Sequence, residues 1–353
     1  MTTSCCALLR LFAQGSVKPV LASKQPLHLI AQQLLALCLP EHKVGSGTWP
    51  EWLAGMPLGT IEQIAEIVEW LQESAHLDID GGMLFVGPEA ERRYGRRHFL
   101  EMLSVFTADP QFTVLHGRDE IGAVDPLVFT RKVDGPRIIS LGGRAWKVTF
   151  TDWKRRRAFV EPSDQSGTSR WSGTPQPLSY TMTNAMRLVL LDGDLPGVEL
   201  SRRATERLAA IGGECSETVD SEALVVAPWD SGQTRWWTWP GAQANGVVAT
   251  ALSSVRPGLV DELDRYDNRY IKLRADATVG EVREALRAAR DAHGEDLERV
   301  EAPVSEDALQ QLKFAELLPP AMAEATLSSR GADPVGCHAT AGASLVAGVR
   351  PPG

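Results

Sequence analysis

Lys154, Arg155, Arg156 and Arg157 stand in an unbroken row between Trp153 and Phe159. Cations attract phosphate oxygens, and flat rings among them offer faces on which bases stack, so this pattern suits a polyanion with accessible bases. It equally suits a solvated strand end whose arginines pair with neighbouring acids. The surrounding charge directs attention to the first reading. Residues 91–170 carry 15 Lys and Arg against 10 Asp and Glu, a local +5 in a chain of net charge −9, which leaves −14 for the rest. Arg96 and Arg97 belong to the same basic stretch, with His98 beside them as a phosphate contact or an ordinary surface residue. A second candidate is Trp171, next to Arg170 in a Ser-, Gly- and Pro-rich loop (163–177) with little apolar sequence to bury it.

Other chemistries find weaker footing. Asp192 and Asp194, and the carboxylates of "DELDRYD" (261–267), lack histidines or a lysine at metal-site or acid–base spacing; turn formation explains the first pair and helix solvation the second group. No nucleophile stands beside a partner base. Five scattered cysteines without a C-x-x-C indicate neither a disulfide framework nor a zinc site. No G-x-x-x-x-G-K-[ST] loop and no D-E-x-H box is present to hold ATP phosphates and magnesium, so no cofactor is expected in this chain. The longest apolar run, "LHLIAQQLLALCL" (27–39), is broken by Gln and His and is too short for a membrane span. With no secretory signal at the start, a cytoplasmic protein is expected.

The elements that position these residues follow from composition and periodicity. At 353 residues and 43% apolar content, two or three domains are expected. Residues 1–105 read as a winged helix. A helix begins after Pro26 and stops at Pro40, and a second opens with a Thr60–Gln63 capping box and sets Ile61, Ile64, Ala65, Val68 and Leu71 on one face. A hairpin then turns at Asp80-Gly81-Gly82. Such modules bind DNA or serve as protein docking platforms. Residues 106–175 read as a small antiparallel, barrel-like β domain, with Trp146, Val148 and Phe150 on its apolar face and the four cations in a turn between strands. Residues 176–332 alternate strand and helix as a mixed α/β domain. Its Trp236, Trp237 and Trp239 cannot form one platform, because successive strand residues face opposite ways. The Ala/Gly/Val-rich tail, 333–353, reads as disordered. The fold class is α+β, multidomain.

In this order the segments resemble the C-terminal half of Lhr-type (large helicase-related) superfamily 2 DEAD/DEAH-box DNA helicases. "QPLHLIAQQLLAL" is similar to that family's entry to the winged helix, and "QFTVLHGRDEIGAVDPLVF" to its T-I-P-D-R-G segment. "ISLGGRAWKVTFTDWKRRRAFVEP" is similar to its barrel stretch and "TSRWSG" to its P-F-W-x-G loop. "TRWWTWPGAQANGVVATAL" resembles its W-W-T-F-A-G-x-x-x-N element and "LKFAELLPPAMAEATLSSR" its closing segment. The likeness covers roughly residues 8–330. It implies an accessory portion that grips single-stranded DNA, or an RNA–DNA hybrid, during translocation or repair. ATP and Mg2+ would then belong to motor domains absent from this chain, which would be a separate subunit or a portion of a longer helicase. Trp171 would stack on a base, and Val114, at the position of the isoleucine in T-I-P-D-R-G, would add an apolar contact. The alternative is a free-standing winged-helix DNA-binding or DNA-repair protein without helicase activity.

Overall fold

The structure, a computed structural model, describes residues 2–18, 22–23, 25–53, 56, 59–95, 99–104, 111–124, 129, 136–164, 177–193, 195, 197–229, 232–262 and 265–349. It is a mixed α/β protein, with three sheets among the described residues, one of them curled like a half-barrel. The chain divides into two units, residues 1–105 with 177–353, and residues 106–176.

In the first unit, α1 (Thr2–Ala13) is followed by α2 (Leu27–Glu41), which starts after Pro26. Pro40 sits inside the last turn of α2 rather than ending it, and His42 closes the helix in the left-handed region at φ 60°. Helix α3 (Ile61–Glu73) carries the expected capping box at Thr60 and Gln63, a feature that contributes about 1 kcal/mol. Ile67 and Leu71 are buried and Ile64 and Val68 half-buried, whereas Ile61 and Ala65 are exposed, because the core begins one turn further along and its stripe runs to one side of Ala65. Strands β1 (Val44–Gly45), β2 (Leu77–Asp80) and β3 (Met83–Val86) pair antiparallel in the order β1-β3-β2. Gly81 and Gly82 form the β2–β3 turn with φ 55° and 77°, a pair of positive angles that glycine adopts at little cost. Helix α4 (Pro88–Tyr94) follows.

The cores of this unit do not follow the expected linear division. Leu312, Phe314, Leu317 and Leu318, then Met322 and Ala323 of a helix at 320–331, fill the same core as α2 and α3. Glu316 fastens the return: its Oε1 accepts from Tyr94 Oη at 2.7 Å and pairs with Arg93 at 2.8 Å, and its carbonyl accepts from Trp70 Nε1 at 3.2 Å. Helix α1 in turn leaves the N-terminal segment for α5 (Tyr180–Asp192) and α6 (Arg202–Cys215), where Cys6 packs with Val189, Leu195 and Leu208.

The second sheet of this unit comprises β9 (Ala223–Pro228), β10 (Thr234–Trp237), β11 (Tyr270–Leu273) and β12 (Ser344–Ala347), in the order β11-β10-β9-β12. Leu224, Val226, Trp236 and Ile271 face α7 (Ala242–Val255) and α8 (Val279–His293), while Val225, Ala227, Trp237 and Trp239 pack with Ala185 and Met186 of α5. The tryptophans thus serve two cores on opposite faces. Gly241, at φ 96°, begins α7 where the Asn268 Oδ1 accepts from Leu178 N at 2.8 Å and Ala242 N at 3.1 Å. Helices α9 (Glu306–Gln311), α10 (Pro320–Gly331) and α11 (Pro334–Ala341) complete the unit. The segment read as a disordered tail therefore forms α11, capped by Asp333, and β12, which pairs parallel with β9. Low periodicity concealed it: so short a helix and strand are held by burial of Cys337, Ala341 and Leu345 rather than by pattern.

The second unit is the half-barrel of β4 (Phe112–His116), β5 (Asp119–Val124), β6 (Ile138–Leu141), β7 (Arg144–Asp152) and β8 (Arg157–Pro162), in the order β5-β4-β8-β7-β6. It is not wholly antiparallel, because β8 inserts beside β4 in parallel register, Val114 opposite Ala158. Phe112, Val114, Phe129, Ile139, Trp146, Ala158 and Val160 form its core.

Candidate nucleic-acid interface

The four cations lie where β7 turns into β8. Trp153, Lys154, Arg155 and Arg156 make the turn, all exposed, and Arg157 opens β8. Arg156 takes the left-handed conformation, φ 51°, which allows a tight reversal between two twisted strands. Asp152 supports the turn by accepting from the Arg155 N–H at 3.0 Å, and its Oδ2 lies 3.8 Å from Arg155 Nη1. At that separation, with Arg155 well exposed, the pair contributes little to stability and leaves the guanidinium available. Trp153 is half exposed, and its ring meets Phe112 edge-on at 4.9 Å. It anchors the turn to the core while keeping one side open.

Two expectations about this unit require correction. Val114 is fully buried, because it points inward from β4, a strand paired on both edges by β5 and β8. It supports the sheet and offers no surface for an apolar contact with a bound strand. Phe150 does not share the inner face with Trp146 and Val148. The β7–β8 register shifts between Val148 and Phe150, so Thr149 and Phe150 together oppose Phe159, and both Thr149 and Phe150 are exposed. A bulge of this kind reverses which face the following residues take. Trp146 is buried, as expected for a core residue, and its Nε1 donates to Leu141 O at 3.0 Å. Trp171, Arg170, Arg96, Arg97 and His98 lie outside the described residues, as does Asp194.

The bulge produces a feature that sequence periodicity missed. Phe150 and Phe159 sit side by side, centroids 6.1 Å apart and planes inclined by 34°. Thr149 Oγ1 donates to Phe159 O at 3.0 Å across the bulge. The signal available in the sequence was distance from the turn, since Phe150 and Phe159 are equidistant from its centre.

Three of the carboxylates considered for catalysis are committed elsewhere, and Asp264, like Asp194, lies outside the described residues. Asp192 pairs with Arg10 at 2.5 Å, Asp261 with Lys272 at 3.5 Å and Asp267 with Arg269 at 3.1 Å. Burial pushes the Cys38 thiol up to about 11 and that of Cys337 up to about 12, so both remain protonated near neutral pH. Among the described residues, no group of His, Cys, Asp and Glu could hold a metal ion, and no helix is long and apolar enough to cross a membrane. A polar cavity of about 160 Å³ opens beside Tyr180, Asn184 and Arg187. Arg187 spans to the Asp220 and Ala223 carbonyls, with burial lowering its pKa, so its guanidinium ties α5 to the strand β9.

No family model and no curated protein matches the chain. Among solved structures, that of the Mycobacterium smegmatis helicase Lhr bound to ssDNA and AMP-PNP is similar, with a TM-score of 0.55 at 14% identity. The match covers 99% of this chain and 49% of that one, so the chain spans about half the length of that helicase. At this identity the likeness is one of fold, and it runs the length of the chain.

Proposed function

We propose that the chain is a nucleic-acid-binding accessory portion of an Lhr-like helicase, one that grips single-stranded DNA while a motor translocates. The observation that carries the reading is the fold likeness along nearly the whole chain to a helicase bound to ssDNA. The exposed Lys154–Arg157 turn supports it, because a strand's phosphates require accessible cations. The α2–α3 pair followed by the β2–β3 hairpin supports a winged-helix assignment for this part of the chain. On this reading ATP and Mg2+ belong to motor domains on another chain or elsewhere in a longer one. Trp171, with Arg170 beside it, stacks on a base, and Arg96 and Arg97 contact phosphates.

The test is an equilibrium titration of the full chain with fluorescein-labelled single-stranded DNA at several salt concentrations. Affinity is expected to fall steeply with salt, by about fivefold per tenfold rise in salt for each phosphate contacted on a single strand. Trp171→Ala is expected to weaken binding about five- to a hundredfold with the salt slope unchanged, since stacking releases no counterions. Absence of binding at low salt, or an affinity indifferent to salt, refutes the reading.

A further inference from the structure

Strand parity around the β7–β8 turn determines which aromatic rings meet solvent. Counting outward from the turn, Asp152 faces Arg157, Thr151 faces Ala158, and Phe150 faces Phe159. Ala158 and Val160 point into the core, so Phe159 between them points away from it, and Phe150 opposite shares that outer face. Without the bulge the alternation set by Trp146 and Val148 would send Phe150 inward. The extra residue therefore moves a phenyl ring out of an apolar core and leaves it 61% exposed. Bulges re-aim side chains in this way, and such a displacement forfeits burial unless the ring has an occupant.

The neighbours on the same outer face indicate the occupant's chemistry. Arg157 lies two residues from Phe159 towards the turn, about 7 Å along the strand, and Lys147 lies beyond the pair on the other side, opposite Glu161. Lys154, Arg155 and Arg156 continue the positive charge past Arg157. The ring pair is flanked by two cross-strand cation–carboxylate pairs, Arg157 with Asp152 and Lys147 with Glu161, and the surplus charge lies with Lys154, Arg155 and Arg156 at the turn. The surface therefore complements a ligand with flat apolar faces and a negatively charged backbone that runs towards the turn. We infer that Phe150 and Phe159 form a base-stacking platform for single-stranded DNA, whose phosphates run along the Lys154–Arg157 turn. The inference rests on the single-strand-binding reading and adds to it a stacking site separate from Trp171.

The experiment uses the full chain, wild type and Phe150→Ala, titrated with labelled oligothymidylate and with an abasic oligomer of equal length. Phe150 is the residue to change because its exposure makes truncation harmless to the core, which thermal melting verifies. Phe150→Ala is expected to weaken oligothymidylate binding about five- to a hundredfold, to leave abasic binding at the wild-type level, and to leave the salt slope unchanged. Irradiation of a 5-iodouracil oligomer bound to the wild type is expected to cross-link Phe150 or Phe159, read by peptide mass spectrometry. Wild-type affinity in Phe150→Ala, or an equal loss with the abasic oligomer, overturns the platform while DNA binding by the chain stands. Failure of the wild-type chain to bind either oligomer defeats the single-strand reading itself, and the platform with it.

Discussion

Asp152 shapes the β7–β8 turn without withdrawing its cations: it accepts from the Arg155 backbone N–H at 3.0 Å, while the 3.8 Å side-chain pair with exposed Arg155 leaves that guanidinium available. Because contacts to phosphate are sequence-independent, the cations should supply affinity without base preference. Reversing Arg155, Arg156 and Arg157 to glutamate should flatten the dependence of log affinity on log salt by about 2, near 0.7 for each lost contact to a single strand. A salt titration of this triple variant with oligothymidylate checks the value, and an unchanged slope would place these side chains off the binding path. The placement of this run was legible at this scale: the four cations beside Trp153 are exposed where β7 turns into β8, as the strand and turn pattern predicts. Direction was not. Val114 occupies the position that the family likeness gave to an apolar contact, yet its side chain is enclosed, because residue identity does not determine which face of a strand is inward.

Two local backbone devices govern the elements. The bulge at Thr149 was hidden because alternation from Trp146 through Phe150 and alternation across Ala158 to Val160 are each self-consistent in sequence. Only their pairing reveals that they disagree by one residue. Capping and turn signals were readable by contrast, since Thr60, Gln63 and the Gly81-Gly82 pair act over three or four residues. The second device is Gly241. At φ 96° it adopts a conformation that side chains resist, and a Cβ there would lie 2.1 Å from the Leu178 carbonyl oxygen. Gly241→Ala should therefore destabilise the first unit by about 3 kcal/mol or more, combining backbone strain with a clash against main chain that cannot move aside. Urea denaturation followed by circular dichroism should show a lowered midpoint. An unchanged midpoint would mean that the 178–179 segment shifts freely.

Across the molecule, one buried histidine sets a pH window for stability. His28 is 1% exposed, and Arg330 Nη2 stands 2.9 Å from its Nε2. Burial, then the Arg330 charge, lowers its pKa from 6.5 to about 4. An unfolded chain takes up a proton below about 6.5 that the native chain refuses until about 4, so stability is complete above 6.5 and declines as pH falls towards 4. The full loss is about 3 kcal/mol. Burial of His76 acts in the same direction. Denaturation at pH 7 and pH 4.5 should show the decline, and His28→Gln, which retains an acceptor for Arg330, should reduce it; an equal decline in that variant would assign the effect to other groups. The same contact shows why the domain division could not be read from order alone. Composition marks where texture changes, but His28 and Arg330 are 302 residues apart, and Tyr94 and Glu316 are 222 apart. This return of the chain has a consequence for synthesis. At about 5–20 residues per second, roughly 10 to 45 s separate the emergence of Tyr94 from that of Glu316. Throughout that interval α2 and α3 have surfaced from the ribosome without the residues that cover them, while the half-barrel, whose strands β4–β8 pair with one another, can close. A nascent chain of this protein is therefore expected to hold its middle folded while its beginning waits, its apolar stripe open to chaperones or to premature association.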